Sequence, residues 1–441
     1  MDRAGIVQRD KRYVWHPYTA MDAYVAEVDP IVVARAYGAW LEDVDGRRYI
    51  DGNSSWWVAS LGHAHPRLLR VLGEQAATLS HCSLAGTTHE PAALLAEELC
   101  AIAPDGLEHV FYTDNGSTSI EVAVKMCVQF WRQRGAPAKT RFLALDGAFH
   151  GDTIGAASLG GVEVFRRPFA GVLFECAHAP FPEADAHARA FDAIAKLMKE
   201  GASTIAAVVV EPIVQGAAGM RIYDPSYLRE LRGLCDRHDV LLVVDEVFAG
   251  YGRTGPMWAC EHAGIAPDLM CLGKAFASIL PMGATLATDR VFDAFRGGKE
   301  NALYYGHTFC GHPLGAALAR EVLAIYRDEQ ILDGVARKAP RIAAAFARIG
   351  ALPGMERARS IGMIGAVDFA PAPGGGAGGY LGNAGWRVYD EARARGAYLR
   401  PLGDTIYVCP PLNIGDDDLD ALLAIVEESV RAVATGSGNA G

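Results

Sequence analysis

The chain has 441 residues, 51% of them apolar, which is enough for two or more packed lobes and far too apolar for a disordered protein. Its 41 basic residues against 52 acidic ones leave a formal charge of −11, the wrong sign for a protein that neutralises nucleic-acid phosphates. The nine cysteines are scattered, odd in number and never spaced C-x-x-C, so they read as reduced thiols rather than a disulfide framework or zinc site. The charged N-terminus MDRAGIVQRDKRYVWHP lacks the apolar core of a signal peptide, and no apolar run reaches the length of a membrane span. A cytoplasmic protein is expected.

DVDGRRYIDG, within the first 60 or so residues, reads as a hairpin turn. From about residue 109 to 290, short β-branched runs alternate with helical patterns. HVFYT (109–113), RFLAL (141–145), IAAVVV (205–210), VLLVV (240–244), DLMCL (268–272) and GATLA (283–287) are expected strands. Most are apolar throughout, as strands covered on both faces must be. Amphipathic helices are expected over 117–134 and 225–238, the second with Asp224 as N-cap and Pro225 at its first position. This alternation implies an α/β fold with a mainly parallel sheet wrapped by helices. Beyond residue 312 the expectation is a long helical region (313–349), a strand near 359–369, a glycine-rich loop (371–379), a helix (384–395), a hairpin-like stretch (397–411) and a final helix from about 416. The division expected is an N-terminal segment (1–65) packing with a small α+β domain (326–441), and a large domain between them (66–325).

One motif misleads. Gly250-Tyr-Gly252-Arg-Thr-Gly255 matches the dinucleotide pattern G-x-G-x-x-G, but Asp245 and Glu246 intervene after the strand, Pro256 follows at once, and no acid stands at the required offset. His63-Ala-His65 reads as a structural turn, and no metal site is expected.

Asp245 and Lys274 are more telling. Each ends an expected strand, where ligands collect in parallel sheets. A desolvated lysine there has a depressed pKa, and the neutral amine is what a carbonyl cofactor needs. An ion pair between two strand ends explains the same spacing. Asp114-Asn115-Gly116-Ser117-Thr118 follows a strand and opens a helix, so its N–H groups can cradle an anion, although Ser117 also suits an ordinary helix cap. Phosphate cradle, strand-end carboxylate and strand-end lysine together describe a pyridoxal phosphate site, the carboxylate keeping the pyridine nitrogen protonated.

The blocks VVDEVFAGYGRTG, PDLMCLGKAF and YYGHTFCGHPLGAA resemble the class III aminotransferases, of fold type I among pyridoxal phosphate enzymes, and the resemblance runs from about residue 12 to 430. WHPYTAM (15–21), DGNSSWWVASLGHAHP (51–66), EPIVQGAAGMRIY (211–223) and LRPLGDTIYVCPP (399–411) resemble the branch of that class in biotin biosynthesis, which aminates 8-amino-7-oxononanoate with S-adenosylmethionine as donor. The resemblance implies Lys274 as Schiff-base lysine and proton shuttle, Asp245 against the pyridinium nitrogen, and Gly116 and Ser117 on the phosphate. It implies Phe149 and Val247 on the two faces of the ring, and Thr308 reaching the phosphate from the partner subunit of a homodimer. Tyr18, Trp56, Phe149 and Gly306 would line the substrate site, with Arg400 binding a substrate carboxylate. Taken alone, Tyr18 and Trp56 read as core and Arg400 as a solvated hairpin residue, while Trp57 and Arg253 read as structural.

The family has tyrosine where this chain has Phe149, which keeps ring stacking and drops a phenolic hydroxyl. Lysine or another amine is therefore an alternative donor to S-adenosylmethionine. The nearest rival reading is an ω-amino acid or diamine transaminase of the same class.

Overall fold

The computed structural model describes residues 2–371 and 379–436. All six apolar runs form strands of one seven-stranded sheet: β1 (Leu107–Thr113), β2 (Arg141–Leu145), β3 (Cys176–Ala179), β4 (Ile205–Val210), β5 (Leu241–Asp245), β6 (Leu269–Leu272) and β7 (Gly283–Thr288), in the order β1-β7-β6-β5-β4-β2-β3. Only β7 runs against the rest, antiparallel to both β1 and β6. β3 escaped the sequence reading because CAHA is a short, half-buried edge strand without β-branched residues.

Alternate residues of the central strands feed two separate cores. Val208, Val210, Leu242 and Val244 pack on one face, and Ala207, Val209, Leu241 and Val243 on the other. Each buried valine contributes roughly 1.5–3 kcal/mol relative to exposure, so these continuous apolar runs are stable only as a covered parallel sheet. Helix α1 (Gly116–Gln133) packs Val122, Met126 and Phe130 into the second core. Helix α2 (Pro225–His238) begins where expected, the Asp224 carboxylate accepting from the Ser226 N–H at 2.8 Å.

The helical region after residue 312 is two helices, α3 (Pro313–Asp328) and α4 (Ile331–Gly350), separated at Gln330, whose φ of 49° no right-handed helix accommodates. The strand expected near 359–369 is an antiparallel pair, Met355–Ile361 and Ile364–Phe369. The 397–411 stretch closes a tight turn with one antiparallel bridge, Leu402 to Thr405, and the pairing goes no further. Ala397–Tyr398 pairs in parallel with Arg48–Asp51, while Thr405–Val408 pairs with Ile364–Phe369, so its two halves join different sheets. The expected hairpin turn near the N-terminus does form, between Trp40–Asp43 and Arg48–Asp51. Residues 372–378 of the glycine-rich stretch lie outside the described residues. The helices Ala384–Ala394 and Asp416–Ala434 pack together in the C-terminal region. No helix among the described residues is long and apolar enough to cross a membrane.

Candidate active site

The C-terminal ends of β4, β5 and β6 open onto a cavity of about 720 Å³. Asp245, the last residue of β5, is buried, and one carboxylate oxygen lies 2.7 Å from His150 Nδ1 while the other accepts the Val247 N–H at 3.1 Å. Lys274 follows β6 and Gly273, with its backbone in the left-handed region at φ 47°. A residue with a side chain adopts that conformation only when its surroundings compel it. Burial pushes the Lys274 ammonium below the ordinary lysine value, and the negative charges of Asp245 and Glu211 oppose the shift.

The N-terminus of α1 forms the adjoining wall. Asn115 rather than Ser117 caps this helix: its side chain accepts the Thr118 N–H at 3.0 Å, and the Thr118 hydroxyl accepts the Asn115 N–H at 3.2 Å. The cap leaves the first-turn amides of Gly116 and Ser117 without an intrahelical partner, and both residues line the cavity. A Cβ at Gly116 would stand 2.5 Å from Val247 Cγ1, so only glycine lets the helix start this close to Val247.

The opposite wall is aromatic. Ser54, Ser55, Trp56 and Trp57 form a left-handed turn, with φ values of 47°, 44°, 65° and 73°. The turn is held by Ser54 Oγ donating to Cys409 O at 2.7 Å and Ser55 Oγ donating to the Asp51 carboxylate at 2.8 Å. His63, part of the histidine pair in the sequence, contacts the same carboxylate at 2.9 Å. The turn presents Trp56 edge-on to Tyr18, ring centroids 5.6 Å apart, and the Arg400 guanidinium lies 4.1 Å above the Trp56 ring. The Tyr18 hydroxyl donates to Asp152, and Phe165 packs between Tyr18 and Phe149.

The structure thus gathers Tyr18, Trp56, Gly116, Ser117, Phe149, Asp245, Val247 and Lys274 around one cavity. Arg400 meets it through Trp56. Gly306 and Thr308 are exposed and lie outside its lining.

Three comparisons bear on this geometry. Residues 23–430 match the family described as Aminotransferase class-III. The chain belongs to the class III aminotransferases. Over 97% of each chain it is 39% identical to an adenosylmethionine-8-amino-7-oxononanoate aminotransferase of Geobacter sulfurreducens. The crystal structure of the enzyme so named from Methanocaldococcus jannaschii superposes with a TM-score of 0.92 at 31% identity, covering 98% of this chain and 99% of that one. An omega transaminase from Pseudomonas jessenii in complex with PMP superposes at 0.91 with 28% identity, covering 99% of this chain and 100% of that one.

As a class III aminotransferase the protein depends on pyridoxal phosphate, and its own residues fit that group. Unpaired amides stand where a phosphate needs donors, two apolar side chains (Val247 and Phe149) line the space for a flat ring, and a buried carboxylate and an amine of lowered basicity stand beside it. Two further groups of this aminotransferase site went unread in the sequence. Glu211, at the end of β4, accepts the Phe149 and Gly216 N–H groups at 3.0 and 2.9 Å, and burial raises its carboxyl to about 7. His150 supports Asp245 from behind, and its Nε2 has no partner among the described residues. A lone glutamate after an apolar run carries no spacing signal, whereas His150 stands next to Phe149 and was within reach. Trp57, read as structural, also lines the cavity.

Proposed function

We propose that this aminotransferase converts 8-amino-7-oxononanoate to 7,8-diaminononanoate in biotin biosynthesis, with S-adenosylmethionine as amino donor, as a cytoplasmic homodimer. The observation that carries the reading is Arg400 stacked on Trp56 at the rim of the lysine cavity. An acceptor with a ketone near one end and a carboxylate at the other needs a neutral amine at one pole of its site and a guanidinium at the other, with apolar walls between. Relatives bearing the corresponding enzyme name over nearly the full length agree with it.

Bound pyridoxal phosphate supplies an electron sink, and the chain does the rest. Asp245, steadied by His150, would keep a proton on the pyridine nitrogen. The Gly116 and Ser117 amides would receive the phosphate, while Phe149 and Val247 would flank the ring. Lys274 would hold the cofactor through its Nζ. Once free, Lys274 Nζ would carry a proton between the donor carbon and the cofactor carbon, so that two half-reactions would use one pocket. Tyr18 and Trp56 offer π faces to a sulfonium or adenine, and Arg400 grips the acceptor carboxylate. Gly306 and Thr308, exposed on their own subunit, serve the site of the partner copy.

The deciding experiment supplies purified protein with 8-amino-7-oxononanoate and, separately, S-adenosylmethionine, lysine and other amines. Diaminononanoate is expected, formed fastest with S-adenosylmethionine; faster formation with lysine reassigns the donor. No product with any donor removes the biotin reading. Rapid turnover of β-alanine, putrescine or 4-aminobutyrate with pyruvate would instead establish the ω-amino acid reading, which the likeness to the P. jessenii enzyme keeps in view.

A further inference from the structure

Trp57 stands against the working nitrogen. Its ring centroid lies 5.0 Å from Lys274 Nζ, inside the range over which an aromatic face attracts a cation, and Phe248 follows at 6.0 Å. Lys274 makes no direct salt bridge among the described residues. The acids that face it are engaged elsewhere: Asp245 with His150 and the Val247 N–H, Glu211 with the Phe149 and Gly216 N–H groups, and Asp152 with the Tyr18 hydroxyl. Cys409 is the remaining titratable neighbour, and burial pushes its thiol up, away from the thiolate. Of the two aromatic faces beside Nζ, the indole is the closer.

It is also held from three sides. Trp57 closes the left-handed turn at φ 73°, donates its ring N–H to the Tyr407 hydroxyl at 3.2 Å, and packs on Phe248 with centroids 4.6 Å apart. A core aromatic needs none of these constraints in combination. Left-handed backbone is costly for residues with side chains, and here four in succession fix one ring face toward one amine.

We propose that Trp57 is a positioning residue whose indole face holds the ammonium form of Lys274 whenever that nitrogen is released from the cofactor. The neutral amine accepts the proton of the donor carbon, the bond's electron pair stays with carbon, and the resulting ammonium waits against the ring until it gives the proton back. Trp57 touches neither the reacting carbon nor the proton's destination in this account; it acts through Lys274. The proposal rests on Lys274 being the cofactor lysine.

The test uses holoenzyme converted to its PMP form, in which Lys274 is free, and follows competitive acetylation of the Lys274 peptide against pH by mass spectrometry. Removing the face disfavours the ammonium, so the midpoint of Trp57→Leu should fall by about 1 pH unit, a ten-fold loss in proton affinity. Trp57→Phe, with a weaker face, should fall by less. A midpoint in Trp57→Leu equal to that of the parent overturns the proposal. Should that variant fail to fold, an unshifted midpoint in Trp57→Phe does the same. Lys274→Ala separates the two layers: if it retains the absorbance of lysine-bound cofactor, the assignment of Lys274 is at fault, not that of Trp57.

Discussion

Lys274 sits where solvent cannot help it, and burial outweighs the pull of nearby acids on its charge. A neutral amine beside a carbonyl binds it; a charged one does not. Lys274→Ala should therefore lower turnover by about 10³-fold or more and abolish the absorbance of lysine-bound cofactor, measured on the purified variant. Phe149 is a subtler case. Its ring lines the cavity and its N–H is fixed by Glu211, so Phe149→Tyr restores a hydroxyl without moving the backbone. One hydrogen bond to a donor is worth about 1 kcal/mol. The ratio of kcat/KM for S-adenosylmethionine against lysine should change about five-fold in that variant, and an unchanged ratio would show that the hydroxyl has no part in donor choice. Glu246 supplies a pH test away from the cavity. It accepts the Ala259 and Cys260 N–H groups, and burial lifts its carboxyl from 4.5 to about 7. An acid whose folded pKa is raised binds protons more tightly in the native chain, so it stabilises fully at low pH and this contribution is lost as pH rises from about 4.5 through about 7. Urea unfolding at pH 5 and pH 8 should show a loss on the order of a few kcal/mol. Glu246→Gln should lessen that slope, Glu211 keeping its own share, while lowering stability at pH 5, because its amide cannot accept both N–H groups.

At the scale of elements, legibility followed how local the determinants are. Helix α2 was readable to the residue because Asp224 and Pro225 mark its start within two positions. The central strands were readable because burial on both faces leaves a continuous apolar run. The 397–411 stretch misled because its partners, Arg48–Asp51 and Ile364–Phe369, are remote in sequence and nothing local reports that its halves part company. The site divides the same way. Asp245 and Lys274 are legible as strand-end residues, whereas Trp57 owes its place to a left-handed turn that SSWW does not announce. Helix α1 turns this into a prediction. Its N-terminus must approach Val247 so closely that a methyl group at position 116 meets Cγ1 at 2.5 Å. Gly116→Ala should leave the fold intact, since α1 keeps its Asn115–Thr118 cap, but should weaken pyridoxal phosphate binding about ten-fold or more by displacing either the amides or the ring wall. Equilibrium dialysis of the cofactor against the variant measures it.

Across the whole molecule, one polar cluster ties the C-terminal strands to the catalytic end of the large sheet. Asp368, buried in Ile364–Phe369, accepts from Arg359 at 2.9 and 3.0 Å, from Arg357 at 2.8 Å and from the Thr405 hydroxyl at 2.6 Å. So held, Arg359 reaches across to donate to Met220 O at 2.9 Å and to Gly219 O. Those carbonyls belong to the loop that supplies Ala217 to the cavity wall and the Gly216 N–H to Glu211. A carboxylate far from the chemistry thus fixes part of the pocket through one guanidinium. Breaking such a buried pair from one side leaves an uncompensated charge and costs about 3–5 kcal/mol. Asp368→Ala should show that loss in urea unfolding. Arg359→Met leaves the Asp368 carboxylate with Arg357 and the Thr405 hydroxyl, so it should be the milder of the two in stability while freeing the loop just as fully. Both variants should raise KM for the acceptor more than they lower kcat, because the loop shapes the wall and not the reacting groups. If kcat falls with KM unchanged, the loop acts on the chemistry through Glu211 instead, and Glu211→Gln should then reproduce the same kinetic pattern without any change at Asp368.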